Sequence, residues 1–351
     1  MKYYSIYDLV GVQVSDAYPW IDTLFLTCGI SIEGKAAYDA CKTKIHVDFS
    51  KNLPMEDVRF IGDGAYIGQD IYVDEQYGVR IEKKDDALRL LVTQECNEWL
   101  VIALQLSLLE CGHSLLHAAA LEKEGEVLLF PSWGGVGKTA TVCRFIREHG
   151  WRLLGDDLVI IGGGKVLPFL KPFVIYPYHK DLFPELFQNG ENHTVKNMTV
   201  SNMMSKAIPS VKRVLRPFPR VLAFLRKHNP QSMRVSPRKI FREDQLSQGG
   251  TPCQLIWLER SMKSDICYSA ITPRQLASKA VTVSCVELFA AKLESVFHMC
   301  GCGMLSFDDV VLKMHQIILG TAESAPCNLL EIPTTVSITE VGEVIHRQLN
   351  P

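Results

Sequence analysis

The 351-residue sequence is short of the features that mark exported, membrane-spanning or disulfide-built proteins. Met1 is followed by Lys-Tyr-Tyr-Ser-Ile-Tyr, without the charged n-region and apolar h-region of an export signal. A membrane-spanning helix needs about 20 nearly uninterrupted apolar residues. The most apolar stretch, Trp99 to Leu121, is broken by Gln105, Glu110, His113 and His117 and predicts a buried helix instead. The 11 Cys are odd in number and scattered, with no CxxC, so free thiols in a reducing cytoplasm are expected rather than a disulfide framework. His298-Met-Cys300-Gly-Cys302 fits no zinc spacing. Internal repeats and low-complexity tracts are also absent.

What remains is the composition of a globular protein of one large or two modest domains, 47% hydrophobic and 22% charged with a formal net charge of −2. The near-neutrality is uneven. Residues 192–242 hold 12 of the 37 Lys and Arg and no Asp or Glu, which leaves 25 basic against 39 acidic residues elsewhere. A cationic block inside an anionic body points to an anionic partner.

Residues 1–95 read as a β-rich region of short strands, including Ile30–Glu33, Lys44–Phe49, Tyr66–Val73, Val79–Glu82 and Leu88–Val92. Residues 96–351 read as an α/β domain with a basic insertion at 192–242. Apolar spacing predicts a helix over 96–112. Glu126–Pro131 suits a buried strand, Ser132–Gly137 a small-residue loop, and Lys138–His149 a helix stopped by Gly150. Trp151–Ile161 reads as one strand, returned through Gly162-Gly163-Gly164-Lys165 into Val166–Leu170 as a hairpin. Strand, glycine loop, helix and strand make the unit of an α/β nucleotide-binding core. Ser284-Cys-Val-Glu287 and Ser337-Ile-Thr-Glu340 both fit the capping box that starts a helix, and Phe307–Leu319 reads as a helix ended by Gly320. In the basic stretch, Pro209, Pro217 and Pro219 forbid one continuous helix, so either two short helices or an excursion is expected.

The sharpest motif is Ser132-Trp133-Gly134-Gly135-Val136-Gly137-Lys138-Thr139, a G-x-x-x-x-G-K-[ST] phosphate loop with Ser in place of the first Gly. Glycines let backbone N–H groups turn inward on phosphate oxygens, and the following helix N-terminus adds its partial positive charge. Ser132 through Thr139, together with Ala140, are thus the expected ATP-binding residues. Lys138 would reach the β- and γ-phosphates and the Thr139 hydroxyl would ligate Mg²⁺. A non-glycine residue at position 132 must avoid a positive φ or bear its cost. Phosphoryl transfer also needs carboxylates for the metal and for the attacking group, and Asp156-Asp157 stands one helix further on. Neighbouring carboxylates entering a strand project in opposite directions and can serve different roles.

The segments His117-Ala-Ala-Ala-Leu, Glu126 to Thr139 and Gly150-Trp-Arg-Leu-Leu-Gly-Asp-Asp-Leu-Val-Ile-Ile together resemble the HPr kinase/phosphorylase superfamily. The resemblance is nearest to the HPr-kinase-related branch that includes lasso-peptide precursor kinases. The strong match covers about 117–161, with weaker echoes at Tyr3 to Asp16, Leu167-Pro-Phe-Leu-Lys-Pro, Leu255-Ile-Trp-Leu-Glu and the final strand-and-helix unit from Asn328. It implies an HPr-kinase-like, phosphoenolpyruvate-carboxykinase-like phosphate-loop core behind the β-rich region. It further implies that Asp156 is linked to the metal, that Asp157 is the general base toward an acceptor hydroxyl, and that His117 assists the transferring phosphoryl group. The Glu-x-Arg-Gly-x-Gly stretch of HPr kinases, which supplies a second metal carboxylate, is absent. Glu185 is the nearest substitute, and HPr recognition and phosphorolysis do not carry over.

The expected function is an ATP- and Mg²⁺-dependent cytoplasmic kinase acting on a hydroxyl, first a serine of a peptide or protein. A small-molecule or nucleic-acid kinase, and a decayed ATP-binding regulatory protein, are the alternatives. An oligomer is compatible with the sequence. The basic block suits an acidic peptide or protein, a nucleic acid or phosphorylated metabolite, or an anionic membrane surface, against a plain solvated face. Arg213, Arg216, Arg234 and Arg238 are equal candidates to reach the γ-phosphate. Neutralising Arg213, Arg216 and Arg220 is expected to raise acceptor Michaelis constants and flatten their salt dependence while leaving ATP affinity alone. Unchanged constants at low salt would reduce the block to a solvated face.

Overall fold

A computed structural model describes residues 1–18, 30, 32–84, 87–95, 97–176, 179–188 and 232–349. The fold is mixed α/β with two large mixed sheets. Two compact units are separable, residues 1–171 with 243–351, and residues 172–242.

The first sheet holds nine strands: β1 (Lys2–Ile6), β2 (Val10–Val14), β3 (Ile32–Glu33), β4 (Thr43–Phe49), β5 (Arg59–Gly62), β6 (Ala65–Gly68), β7 (Ile71–Asp74), β8 (Val79–Lys84) and β9 (Ala87–Val92). Their order is β3-β1-β2-β4-β9-β8-β7-β6-β5, parallel only at β2–β4 and β4–β9. The stretch read as one strand from Tyr66 to Val73 is a hairpin, since Asp70 adopts φ 55° and reverses the chain between β6 and β7. A short helix α1 (Lys35–Ala40) packs on β1 and β2.

The second sheet follows helix α2 (Asn97–Glu110) and carries the phosphate loop. It contains β10 (His113–Lys123), β11 (Glu126–Pro131), β12 (Arg152–Gly155), β13 (Leu158–Gly162), β14 (Lys165–Leu167), β17 (Thr251–Ser261), β18 (Cys267–Ala270) and β19 (Cys327–Pro333). Here the expectation of one buried helix from Trp99 to Leu121 is corrected. Gly112, at φ 71°, ends α2, and the chain continues as the central strand β10. A strand covered on both faces reads as an unbroken apolar run, which composition does not distinguish from a buried helix.

The long strand β10 sets the register of everything around it. Its first half, His113–His117, pairs with β13, while Ala118–Lys123 pairs with β11 on one edge and Ala120–Glu122 with β12 on the other. Strands β11, β17 and β19 run parallel to one another. Helix α3 (Lys138–His149) follows the phosphate loop and ends at Gly150, whose φ of 69° closes the helix on Phe145. Helices α5 (Pro273–Phe289), α6 (Leu293–Gly301), α7 (Phe307–Glu323) and α8 (Val341–Leu349) complete the unit. α5 and α7 pack on β10, and α8 packs on α3. Among the described residues no helix is long and apolar enough to cross a membrane.

Two capping expectations separate here. At Ser337–Glu340 the Ser337 N–H donates to the Glu340 carboxylate just before α8. Ser284 and Glu287 instead lie inside α5, whose true box is Thr272 with Gln275. The tripeptide spacing is the same, but Pro273 fixes the earlier start. Helix α7 also runs through Gly320 to Glu323.

The second unit pairs β15 (Phe173–Ile175) with β16 (Met233–Val235) and holds helix α4 (Pro184–Gln188). Phe173, Phe183 and Phe241 form its aromatic core. Of the basic block, Arg234, Arg238, Lys239 and Arg242 belong to this unit, whereas residues 192–231, Arg213 and Arg216 included, lie outside the described residues.

Gly137 caps α3 at φ 107°, and a Cβ there would lie 2.9 Å from the Val341 side chain at the start of α8. Gly137→Ala should therefore destabilise the protein by about 1–3 kcal/mol, read in urea unfolding, because it meets both backbone strain and a clash. Val341→Ala in the same chain should recover only part of the loss, since it removes the two methyl groups but leaves the residue 341 Cβ 2.9 Å away and the backbone strain in place. Full recovery would leave φ without a cost.

Candidate functional site

The register of β10 brings the candidate residues to one place. β11 ends at Pro131, opposite Ala118, so the edge of β10 at His117 has no strand neighbour there. Its N–H donates instead to the Ser284 hydroxyl at 3.1 Å. On the other edge, β12 ends with Gly155 opposite Ala120 and β13 begins with Leu158 opposite His117. The single strand expected over 151–161 is thus broken at Asp156-Asp157, which bend out of the ladder. Gly155 permits the bend, because a Cβ there would stand 2.4 Å from the Leu158 carbonyl oxygen.

The bend sends the two carboxylates apart. Asp156 Oδ2 accepts from the Thr139 hydroxyl at 2.8 Å, and Asp156 Oδ1 is buried with no hydrogen-bond partner. Asp157 Oδ1 lies 3.4 Å from His117 Nδ1, and Asp157 Oδ2 accepts from Lys171 Nζ. Lys138 lies between these groups and is buried. Its ammonium donates to the carbonyl oxygens of Ser132 and Trp133 and to His117 Nε2, the last at 3.1 Å. A lysine ammonium has donors only, so His117 Nε2 is the acceptor and its Nδ1 carries the proton, which makes no hydrogen bond although Asp157 Oδ1 lies 3.4 Å away.

The local charges follow from this packing. Burial pulls Lys138 down to about 8, against the opposing effect of Asp156, Asp157 and Glu287. Burial, and then the nearby Lys138, lower His117 to about 4, so it is neutral near pH 7. Burial pushes Asp156 up to about 6, with Thr139 and Lys138 acting the other way. Burial also raises Asp157, but Lys171 and His117 outweigh it and hold that carboxyl below its ordinary value.

The loop itself turns at two glycines before the helix. Gly135 and Gly137 take φ values of 77° and 107°, and Lys138 begins α3. Ser132 needs no glycine, for it is not among the residues with positive φ. Its buried hydroxyl accepts from the Leu258 N–H at 2.8 Å, a group of β17 lying beyond the end of β11. Trp133, Gly134 and Gly135 are exposed, Val136 and Ala140 are buried, and Thr139 is partly buried.

Thr139 Oγ1 and the unpartnered Asp156 Oδ1 are hard oxygen donors side by side, which fits Mg²⁺. Among the described residues no three His, Cys, Asp or Glu gather closely enough to hold an ion by themselves. An ion at Thr139 and Asp156 would complete its shell with phosphate and water, as Mg²⁺ does. Glu185, considered as a second metal carboxylate, belongs to the 172–242 unit.

Three site residues were not assigned from the sequence. Ser284 and Glu287 share one face of α5, toward His117 and Lys138, and Lys171 closes on Asp157. The only local sign was that Lys171 falls in the Leu167–Pro172 segment. A separate cavity of about 470 Å³, lined by Trp99, Leu106, Met299 and Met304, lies between the first sheet and helices α2, α6 and α7, away from the phosphate loop. Its charged rim residues, Lys83, Glu110, Asp309 and Lys313, balance one another.

The His117 shift has a consequence for folding. The unfolded chain takes up a proton near 6.5, whereas folded His117 resists until about 4. Its contribution to stability is therefore lost as pH falls through that window. His117→Gln keeps an acceptor for Lys138 but cannot titrate. In urea unfolding the loss of stability between pH 7 and 4.5 should be smaller for this variant than for the wild type, and equal losses would contradict a neutral buried His117. The chain has no match among family models and none among curated proteins.

Proposed function

We propose that this protein is an ATP- and Mg²⁺-dependent kinase of the HPr-kinase-related kind, transferring a γ-phosphoryl group to a hydroxyl, most plausibly a serine of a peptide or protein. The observation that carries the reading is the divergence of Asp156 and Asp157. One carboxylate is turned to the Thr139 hydroxyl at the start of α3, the other to His117 and the solvent side of the site. Phosphoryl transfer asks for both positions, one for the metal and one for the nucleophile.

In this reading the loop from Ser132 to Thr139 and the N-terminus of α3 receive the phosphates. The Lys138 ammonium already points into the loop, on the carbonyls of Ser132 and Trp133, and would exchange those oxygens for phosphate oxygens. Thr139 and Asp156 would hold the magnesium ion, whose contribution is to neutralise phosphate charge. Asp157 accepts the hydroxyl proton as the oxygen attacks. His117 lies against Lys138 and Asp157 and keeps both oriented. An extended chain near the loop is a fitting acceptor, because Asp157 lies at the partly exposed edge of the site, where a side-chain hydroxyl can approach it.

Labelled ATP, magnesium and a lysate of the protein's own source test this directly. Transfer to a lysate component should be lost by at least about a hundredfold in Asp157→Ala, the scale of a positioned general base. ATP affinity in that variant should stay within a few-fold of wild type. Undiminished labelling by the variant would sink the assignment.

A further inference from the structure

Asp157 Oδ2 accepts from the Lys171 ammonium, while Oδ1 lies 3.4 Å from His117 Nδ1 without a hydrogen bond to it. Lys171 is not placed by chance on a loose surface loop. The Tyr7 hydroxyl donates to the Pro168 carbonyl at 2.7 Å, and the Phe169 N–H to the Leu154 carbonyl at 3.1 Å. The Lys171 N–H closes a tight turn on the Phe169 carbonyl at 2.8 Å, and the side chains of Phe169 and Leu170 are buried. The backbone of Lys171 is thus tied to the strand that leads into Asp156-Asp157, while its long side chain is free to swing. The pair forms the outer lip of the site, with side chains 31% and 41% exposed, against 5% for His117.

We propose that Lys171 is a guard on Asp157, a positioning residue that masks the base from water until an acceptor hydroxyl takes its place. The proposal rests on the kinase reading above. Water that reached Asp157 Oδ2 would be activated against the γ-phosphate, and ATP would be hydrolysed without an acceptor. An ammonium on that oxygen excludes a weakly held water molecule, whereas an acceptor bound through further contacts has the binding energy to displace it. In the productive step the acceptor O–H bond breaks and its proton goes to Asp157. The acceptor oxygen forms the new bond to phosphorus as the bond to the bridging oxygen breaks, and that electron pair stays on ADP. Lys171 takes no part in these bond changes.

The guard differs from an ordinary surface ion pair, which contributes little and whose loss would leave turnover unchanged or lower. ADP release is measured with ATP and Mg²⁺ in buffer alone, water being the only acceptor, alongside binding of a fluorescent ATP analogue. Lys171→Met should raise acceptor-free ADP release roughly tenfold or more, well within what a positioned base contributes. Analogue affinity should change less than about threefold, since Lys171 is not among the loop residues. Lys171→Arg restores the ion pair and should return the rate to the wild-type level, and Asp157→Ala in the Lys171→Met chain should abolish the gain. Unchanged or lower ADP release by a Lys171→Met protein that binds the analogue normally overturns the guard. So does a gain that survives Asp157→Ala. Failure of the wild type to bind the analogue overturns the nucleotide reading itself, and is seen as lost binding rather than as unchanged turnover.

Discussion

Burying the Lys138 ammonium would cost several kcal/mol were its donors left without acceptors, and much of the site is the answer to that cost. Two acceptors come from the loop itself, at Ser132 and Trp133, and the third is a neutral imidazole, His117. Each of these depends on an earlier choice. The loop that offers these carbonyls turns at Gly135 and Gly137, both at positive φ. His117 is in reach because β11 stops at Pro131 and β10 does not, and Ser284 takes over the N–H that the missing strand pairing leaves. Three carboxylates, Asp156, Asp157 and Glu287, keep the charge from being lost altogether.

The two adjacent aspartates show how far a single bend separates chemical roles. Asp156 is turned inward, and burial dominates, so its carboxyl is raised to about 6. Asp157 is turned outward between two donors, and their attraction exceeds the effect of burial, so its carboxyl is depressed. In a regular strand the same two side chains would have pointed to opposite faces of the sheet. The bend instead keeps both at one end of β10, one against Thr139 and one against Lys171. The pinch at Gly155, where no side chain fits, is what makes that possible.

Local features of the sequence were legible, and the non-local ones were not. The strand over Glu126–Pro131, the loop, and the helix from Lys138 to Gly150 follow from glycine placement and apolar spacing within a few residues of each other. The hairpin through Gly163 and Gly164 was legible for the same reason. The break at Asp156-Asp157 was not, because Leu153-Leu154 and Leu158–Ile161 share one apolar pattern and only the pairing partners reveal the bend. Ser284 and Glu287 spell a cap, but Pro273 starts the helix earlier and turns them toward the site. Lys171 meets Asp157 only through the contacts of Phe169 and Pro168, which no spacing rule encodes. His117 had meaning from its resemblance, and its acceptor role toward Lys138 came from the register of β10.

The docking of α8 ties the phosphate loop to a distant part of the chain. Val341 fills the space that a side chain at Gly137 would need, and Thr141 and Arg144 lie against Gly342. The loop residues precede this helix by most of the second sheet and the whole 172–242 unit. During synthesis the loop and α3 therefore emerge and acquire their local shape long before their packing partner exists. Contacts so far apart in sequence carry a loop-closure cost, one that grows only slowly with the length between them. Until α8 has docked, the glycine loop lacks the Val341 side chain that stands against Gly137.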